Sequence, residues 1–315
     1  MSAITILSIL GGLILLAVGA EGLVRGSSSA ALRMGVTPLV VGLTIVAFGT
    51  GSPEFAVSIG SALEGNSSLA LGNVIGSNIA NVALILGIAA VIKPLKVRAE
   101  IVRREAPIMV VITGLLWLLL YDGQISRIDG VLLTTGAAAY TFLTYYLSKQ
   151  KQTKVVEAEF EEAFEPTKQA VWLDVVLIIV GLGMLILGAN LLLEGAVTIA
   201  KYFGLSEVII GLTIVAVGTS LPELATSALA ARKGEADVAL GNAIGSNVLN
   251  ILAVLGVTAL ILPISVEGVR TLDLGVMFGS AILLNVLLGR NFVLDRIEGS
   301  VMIIGYFIYI YTLLP

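Results

Sequence analysis

The chain has 315 residues, of which 57% are hydrophobic and only 13% are charged, and its formal net charge is −4. The net charge is too small to indicate a nucleic-acid partner, and the composition indicates a polytopic membrane protein embedded in a lipid bilayer. The chain contains neither cysteine nor histidine, which excludes disulfides, metal sites built from these residues and histidine proton relays. An ion site in this chain must therefore be built from oxygen atoms.

Apolar segments of membrane-spanning length predict ten transmembrane helices. About 20 apolar residues suffice to cross the hydrocarbon core. Such windows lie, in chain order, at about 4–24, 36–61, 68–92, 105–121, 128–147, 171–193, 206–230, 238–262, 272–289 and 297–314. The first window lacks the basic n-region of a signal peptide, so we expect it to be retained as a span. The predicted fold class is an all-α polytopic membrane protein.

The second half of the chain repeats the first at a constant offset. The segment GLTIVAFGTGSPEFAVS at 42–58 recurs 169 residues later as GLTIVAVGTSLPELATS at 211–227, with twelve of seventeen positions identical. The same offset aligns GNVIGSNIAN at 72–81 with GNAIGSNVLN at 241–250. A constant offset across five predicted spans indicates a duplicated five-helix unit.

The two units are predicted to be inverted, because five spans return the chain to the opposite side of the membrane. Of the 18 Lys and Arg residues, fifteen fall in loops on one predicted side, and the other side has only Arg127, Lys201 and Arg270. The basic side is cytoplasmic by the positive-inside rule. We therefore expect a cytoplasmic (inner) membrane protein with both termini outside.

The predicted organisation is a first repeat at 1–147, a cytoplasmic linker at 148–170 and a second, inverted repeat at 171–315. The linker is too short to form a domain of its own. Its acidic run within 157–165 is typical of a solvated linker, and a cation-sensing role is the alternative.

Two glutamates lie near the middle of predicted spans, where an ionised group is costly and commonly marks a transport site. Glu54 follows Pro53, and Glu223 follows Pro222. Each proline lacks an amide hydrogen and clashes with the carbonyl four residues earlier, so each helix should break there and free backbone carbonyls. A carboxylate beside freed carbonyls is a suitable site for a hard cation.

The following span in each half carries a polar stripe along one helix face, with residues spaced by four. The stripes consist of Asn73, Ser77 and Asn81 in the first half and Asn242, Ser246 and Asn250 in the second. Thr50 and Thr219 lie one turn before the two glutamates. Taken singly, such residues often only form hydrogen bonds between helices.

The same two spans also carry G-x-x-x-G patterns, which predict that each span approaches the broken helix closely. The patterns are formed by Gly72 and Gly76 in the first half and by Gly241 and Gly245 in the second.

These motifs resemble the paired alpha-repeats of the calcium/cation antiporter superfamily, and most closely those of the prokaryotic sodium/calcium exchangers. The matching stretches are GTGSPE with GNVIGSNIAN and GTSLPE with GNAIGSNVLN, and the resemblance covers essentially all ten spans. It implies a ten-helix inverted-repeat fold with a diamond of ion sites at the midplane. It also implies that the first and sixth helices slide against the rest to expose these sites alternately.

The resemblance also implies a set of calcium and sodium ligands and three sodium ions per calcium. The implied ligands are Glu54, Glu223, Thr50, Thr219, Ser77, Ser246, Asn81, Asn250 and the carbonyls of Ala47 and Ala216. Ser220, at a position where family members commonly carry serine, and the stripe residues Asn73 and Asn242 complete the candidate set.

Two positions depart from the pattern of the family. Position 51 is Gly where the second repeat has Ser220, which puts one sodium ligand in question. The next residue, Ser52, is rotated by about 100° along a helix, so the sequence leaves open whether it substitutes. Position 250 is Asn, whereas potassium-dependent relatives carry Asp there, so potassium co-transport is disfavoured.

The predicted function is secondary active exchange of sodium for calcium by alternating access. Proton/calcium exchange is an alternative, because a desolvated carboxylate can take up a proton. A cation channel and an intramembrane enzyme that uses the two glutamates as acid and base are further alternatives. No nucleophile or cofactor motif accompanies the glutamates, so we expect neither an enzyme nor a bound cofactor.

Overall fold

The protein is built from helices, and the computed structural model describes residues 3–65, 67–150, 171–202 and 216–313. In the first half the helices are α1 (Ala3–Met34), α2 (Pro38–Thr50), α3 (Ser52–Leu63), α4 (67–92), α5 (Ile101–Asp122) and α6 (Arg127–Gln150). In the second half they are α7 (Val171–Tyr202), α8 (Ala216–Thr219), α9 (Leu221–Lys233), α10 (Ala236–Ile261), α11 (Thr271–Asn291) and α12 (Arg296–Tyr311).

Six of these helices are long and apolar enough to cross a membrane, namely α1, α4, α5, α7, α10 and α11. The bent pair of α2 and α3 provides a seventh candidate span. Helices also occupy the described parts of the three other predicted windows, at 128–147, 206–230 and 297–314. Helix α12, in the last window, has only 16 residues. In the window at 206–230 the described residues begin at Ala216. The chain is thus an all-helical, multi-pass membrane protein.

The predicted helix breaks at the two prolines are confirmed. Between α2 and α3 the backbone of Gly51 leaves the helical conformation, with φ −74° and ψ 4°, and the two helices are bent by 45°. Ser220 makes the corresponding break between α8 and α9, with φ −90° and ψ 11°. Pro53 and Pro222 lie in the first turns of α3 and α9, respectively. Backbone N–H groups in a first turn have no intrahelical acceptor, so the missing N–H of proline costs no hydrogen bond there.

The centre of the fold is formed by α4 and α10, the most deeply buried of the candidate spans. Each contains a π-helical turn, at Ala80–Ile85 and at Asn250–Leu255 respectively. Such turns are rare and are often found at functional sites. Here they begin immediately beside Asn81 and at Asn250, both of which are predicted site residues.

The G-x-x-x-G pattern of α10 permits a close approach to a broken helix, but that helix belongs to the opposite half. A Cβ atom on Gly245 would lie 2.6 Å from the carbonyl oxygen of Leu43 in α2, and one on Gly241 would lie 2.8 Å from that of Leu39. Larger residues would force the two helices apart. No described atom lies within 4 Å of the corresponding positions at Gly72 and Gly76.

The peripheral helices α1 and α7 pack along each other through glycines. A Cβ atom on Gly12 would lie 2.8 Å from the Gly188 carbonyl oxygen, and one on Gly19 would lie 2.8 Å from that of Gly181. Small residues let two membrane helices approach in this way. Both helices have 32 residues and extend well beyond the apolar windows that predicted them.

Two short antiparallel ribbons connect the halves. Strand β1 (Leu95–Lys96) pairs with β4 (Val293–Leu294), and β2 (Gln124–Ile125) pairs with β3 (Ile264–Ser265). These strands were not predicted, because two-residue strands leave no periodic signal. The pair Leu95 and Leu294 corresponds by the offset of 169 to Ile264 and Ile125, so the two ribbons obey the same internal repeat.

The predicted linker is only partly described. Helix α6 continues to Gln150, three residues beyond the predicted end of the first repeat at 147. The remainder, 151–170, lies outside the described residues, and the acidic run within 157–165 lies there with it.

Candidate functional site

The two helix breaks place Glu54 and Glu223 in the first turns of α3 and α9. Each residue is only 1% exposed. The first turn of a helix favours negative charge, because its backbone N–H groups have no intrahelical acceptor and the helix dipole is positive there. The proline breaks therefore create two sites at which a buried carboxylate is tolerated within an apolar bundle.

The carboxylate of Glu54 links the two halves of the protein. Its Oε1 atom accepts hydrogen bonds from the hydroxyl of Ser220, at 3.0 Å, and from that of Ser77 in α4, at 3.3 Å. Ser220 lies at the break in the second half, whereas Ser77 belongs to the first. Hydroxyl groups of both halves thus meet at one buried carboxylate.

Each threonine of the site contacts the stripe asparagine of the opposite half. The Thr50 hydroxyl donates to Asn242 Oδ1 at 3.1 Å, and the Thr219 hydroxyl donates to Asn73 Oδ1 at 3.5 Å.

Asn73 and Asn242 also secure the broken helices within their own halves. Asn73 Nδ2 donates to the Glu54 carbonyl oxygen at 3.4 Å and to Ser58 Oγ at 3.2 Å. Asn242 Nδ2 makes the equivalent bonds, at 3.3 Å to the Glu223 carbonyl oxygen and at 3.0 Å to Ser227 Oγ. Both amide groups are thus engaged in holding the segments that carry the glutamates and threonines.

Gly51 makes the site asymmetric. Its counterpart Ser220 contacts Glu54, whereas Gly51 offers no hydroxyl to Glu223. A Cβ atom at position 51 would lie 3.8 Å from both Glu223 Oε1 and Asn250 Oδ1, so a side chain there would point into the site. Ser52 does not fill this position, because its hydroxyl donates across the break to the Gly49 carbonyl oxygen of α2 at 2.8 Å.

Several buried oxygens at the site have no hydrogen-bond partner among the described residues. They are Glu54 Oε2, Glu223 Oε2, Asn81 Oδ1 and Ser246 Oγ. Unpaired buried polar atoms are rare in folded proteins, and an ion or an ordered water commonly satisfies them. Carboxylate, amide and hydroxyl oxygens are ligands that calcium accepts.

The structure brings the predicted side chains of the two halves together, and it shows two neighbours that the sequence analysis missed. Ala47 and Ala216 lie four residues before Gly51 and Ser220, and the Ala47 carbonyl also accepts from the Gly51 N–H at 3.0 Å. The missed residues are Asn78 and Asn247. Asn78 accepts a hydrogen bond from Asn250, and Asn247 accepts one from Asn81, although neither belongs to the four-residue spacing of its own stripe.

Comparison with known proteins identifies the group to which the chain belongs. Residues 4–146 and 173–314 match the model of the family described as sodium/calcium exchanger protein. The chain is a member of this family. The match covers both halves and confirms the superfamily resemblance that the two motifs carry.

Relatives of this exchanger-family chain match it over most of its length. The putative antiporter CaxA of Alkalimonas amylolytica is 39% identical over 97% of both chains. The sodium/calcium exchanger MaX1 of Methanosarcina acetivorans is 30% identical over 99% of both chains. The inner membrane protein YrbG of Escherichia coli is 39% identical, and the match covers 80% of this chain and 78% of YrbG.

A solved structure supports the same conclusion at the level of the fold. The sodium-calcium exchanger NCX_Mj, soaked with 2.5 mM Na+ and 0.1 mM Ca2+, superimposes with a TM-score of 0.86. The two sequences are 31% identical and the match covers 100% of both chains. The exchanger-family chain is therefore a transporter of this fold and not an enzyme.

Proposed function

We propose that the protein exchanges Na+ for Ca2+ across the cytoplasmic membrane as a secondary active antiporter. The observation that carries this proposal is the pair of buried glutamates, one from each half, in a single site lined by neutral oxygens. The second carboxylate oxygen of each has no partner among the described residues. The named activities of MaX1 and NCX_Mj support the same cargo.

The charge of the site suits a divalent cargo. Glu54 and Glu223 supply about −2, and one Ca2+ neutralises this charge, which lowers the cost of passing through a buried state. Calcium takes six to eight oxygen ligands. The proposed ligands are Glu54, Glu223, Thr50, Thr219, Ser77, Ser246, Ser220, Asn81, Asn250 and the Ala47 and Ala216 carbonyls. Asn73 and Asn242 remain candidates, and their contacts favour a role in holding the threonines.

The proposed topology is ten spans in two inverted repeats, at 1–147 and 171–315, joined by a cytoplasmic linker at 148–170. Strand pairing supports the inversion. Strand β1 follows the third predicted span of the first half, and β4 follows the fourth of the second half. In halves of equal orientation these loops would lie on opposite faces of the membrane, whereas inversion places them on one face, where they can pair.

The topology predicts the accessibility of single cysteines, which can be introduced freely because the chain has none. Glu64→Cys, at the end of α3, should react with a membrane-impermeant maleimide added to intact cells. Phe160→Cys, in the linker, should react only after the membrane is opened. Reaction of both positions from the same side would contradict the ten-span inverted topology.

Alternating access requires a part of the protein that moves against the rest. The helix pair α1 and α7 is the candidate, since its members pack closely on each other and are far less buried than α4 and α10. Their few buried contacts with the core make displacement as a unit less costly than separating the central helices.

The test of this function is Ca2+ uptake into proteoliposomes that contain the purified protein. We expect uptake when the vesicles are loaded with Na+ and diluted into Na+-free medium, and little uptake when they are loaded with K+. Uptake driven equally by a pH gradient would favour proton coupling. Uptake that needs no counter-ion would indicate a channel.

A further inference from the structure

Four buried asparagines, two from each half, form a hydrogen-bonded cluster between α4 and α10, and Asn247 Nδ2 also donates to Met109 Sδ of α5 at 3.6 Å. The cluster consists of Asn78, Asn81, Asn247 and Asn250, none of which is more than 3% exposed. Asn78 Nδ2 donates to the backbone carbonyl of Asn247 at 3.2 Å, and Asn247 Nδ2 donates to that of Asn78 at 3.2 Å. These two bonds are reciprocal and cross from one half to the other.

The two outer asparagines are attached to this pair through their nitrogens. Asn81 Nδ2 donates to Asn247 Oδ1 at 3.0 Å, and Asn250 Nδ2 donates to Asn78 Oδ1 at 3.1 Å. The oxygens of Asn81 and Asn250 are left for the ion site. Asn81 Oδ1 has no partner among the described residues, and Asn250 Oδ1 shares the neighbourhood of position 51 with Glu223 Oε1.

Backbone carbonyls fix the direction of every amide in the cluster. A carbonyl can only accept, so Asn78 and Asn247 must turn their nitrogens toward each other's backbone and their oxygens toward the outer asparagines. Those oxygens can also only accept, so Asn81 and Asn250 must present their nitrogens to them. Turning any one amide around would leave buried donors and acceptors without partners.

We propose that Asn78 and Asn247 are positioning residues that hold the Asn250 and Asn81 side chains with their oxygens toward the transported cation. This inference rests on the proposed function. An asparagine that is free to rotate would present its NH2 group to the site part of the time, and that group repels a cation. The hydrogen bonds to Asn78 and Asn247 therefore fix the orientation of the Asn250 and Asn81 amides so that each presents its oxygen to the site, and they add no charge to it.

The test is a double-mutant cycle read by equilibrium binding of Ca2+ to the purified full-length protein. Asn247→Leu should weaken Ca2+ binding about tenfold when position 81 is Asn. In an Asn81→Ala background the same substitution should change binding by less than about twofold, because the residue that it orients is gone. Asn78→Leu should behave in the same way toward Asn250→Ala. Thr258→Val, another buried polar-to-apolar change in α10, is the matched control and should bind Ca2+ normally.

A rescue separates orientation from a structural role. Asp has two equivalent oxygens and needs no orienting, so in an Asn81→Asp background the further change Asn247→Leu should alter Ca2+ binding by less than about twofold, relative to Asn81→Asp alone. If the leucine variant does not fold, Asn247→Ser takes its place, because it removes the amide contacts with Asn78, Asn81 and Met109 without adding bulk. Equal loss of binding with and without the Asn81→Ala substitution, or no loss at all, would overturn the inference. A wild-type protein that neither binds nor exchanges Ca2+ would instead refute the proposed function.

Discussion

Replacing Glu54 or Glu223 by glutamine is expected to abolish sodium-driven Ca2+ uptake and leave the protein folded. Each substitution removes half of the fixed negative charge of the site and keeps the shape of the side chain. Losing one charged partner of a buried ionic contact typically costs about 2–5 kcal/mol, so at about 3 kcal/mol transport should fall about 100-fold or more. Folding should survive, because an ionised carboxylate is itself costly to bury.

The measurement is the initial rate of Ca2+ uptake into sodium-loaded proteoliposomes, compared at equal amounts of reconstituted protein. Glu64→Gln is the matched control, since Glu64 is exposed at the far end of the same helix as Glu54, and it should transport like the wild type. Gel filtration in detergent reports the folding of each variant. Substantial uptake by Glu54→Gln or Glu223→Gln would show that the ion site lies elsewhere.

The exchange cycle is expected to move net charge across the membrane. Glu54 and Glu223 are the only formal charges among the proposed ligands, because positions 81 and 250 are both amides. The site therefore carries about −2 when empty, 0 with one Ca2+ and +1 with the three sodium ions that the family resemblance implies. Each charge moved couples to the membrane potential by about 2.3 kcal/mol per 100 mV. A potential of about 100 mV therefore changes the equilibrium ratio of the calcium concentrations on the two sides by roughly 50-fold.

Clamping the potential of proteoliposomes with a potassium ionophore tests this expectation. An inside-negative potential should slow Ca2+ entry driven by internal Na+, because more positive charge leaves than enters. Entry that does not respond to voltage would point to two sodium ions per calcium. In that case the missing hydroxyl at Gly51 is the structural reason, and Gly51→Ser, which places a hydroxyl beside Glu223 as Ser220 does beside Glu54, should introduce a voltage response.

The features that arise within one helix could be predicted from the sequence. The breaks before Glu54 and Glu223 follow from local sterics of proline, and both are present at Gly51 and Ser220. The polar stripes follow from helical periodicity, and the structure brings them to the glutamates. The internal repeat supports each of these features independently, since each one occurs twice with the same spacing.

Contacts between the halves could not be predicted in the same way. Asn78 and Asn247 lie one residue away from the stripes, so periodicity excludes them, although they have a defined partner 169 positions away. The direction of the Ser52 side chain could not be predicted either, because it depends on the backbone geometry of the break at Gly51. The ribbons of β1 with β4 and β2 with β3 need the folded arrangement of four loops. Only the repeat itself, applied to GSN at 76–78 and 245–247, signalled that these asparagines occur as a pair.

The most direct test of the proposed exchange is uphill movement of sodium driven by calcium. Proteoliposomes are prepared with the same Na+ concentration inside and outside, Ca2+ is added outside, and internal Na+ is followed with a fluorescent indicator. We predict that internal Na+ falls below the external concentration as Ca2+ enters, and that it does not fall in vesicles with Glu54→Gln. Calcium entry with internal Na+ unchanged would contradict sodium/calcium exchange.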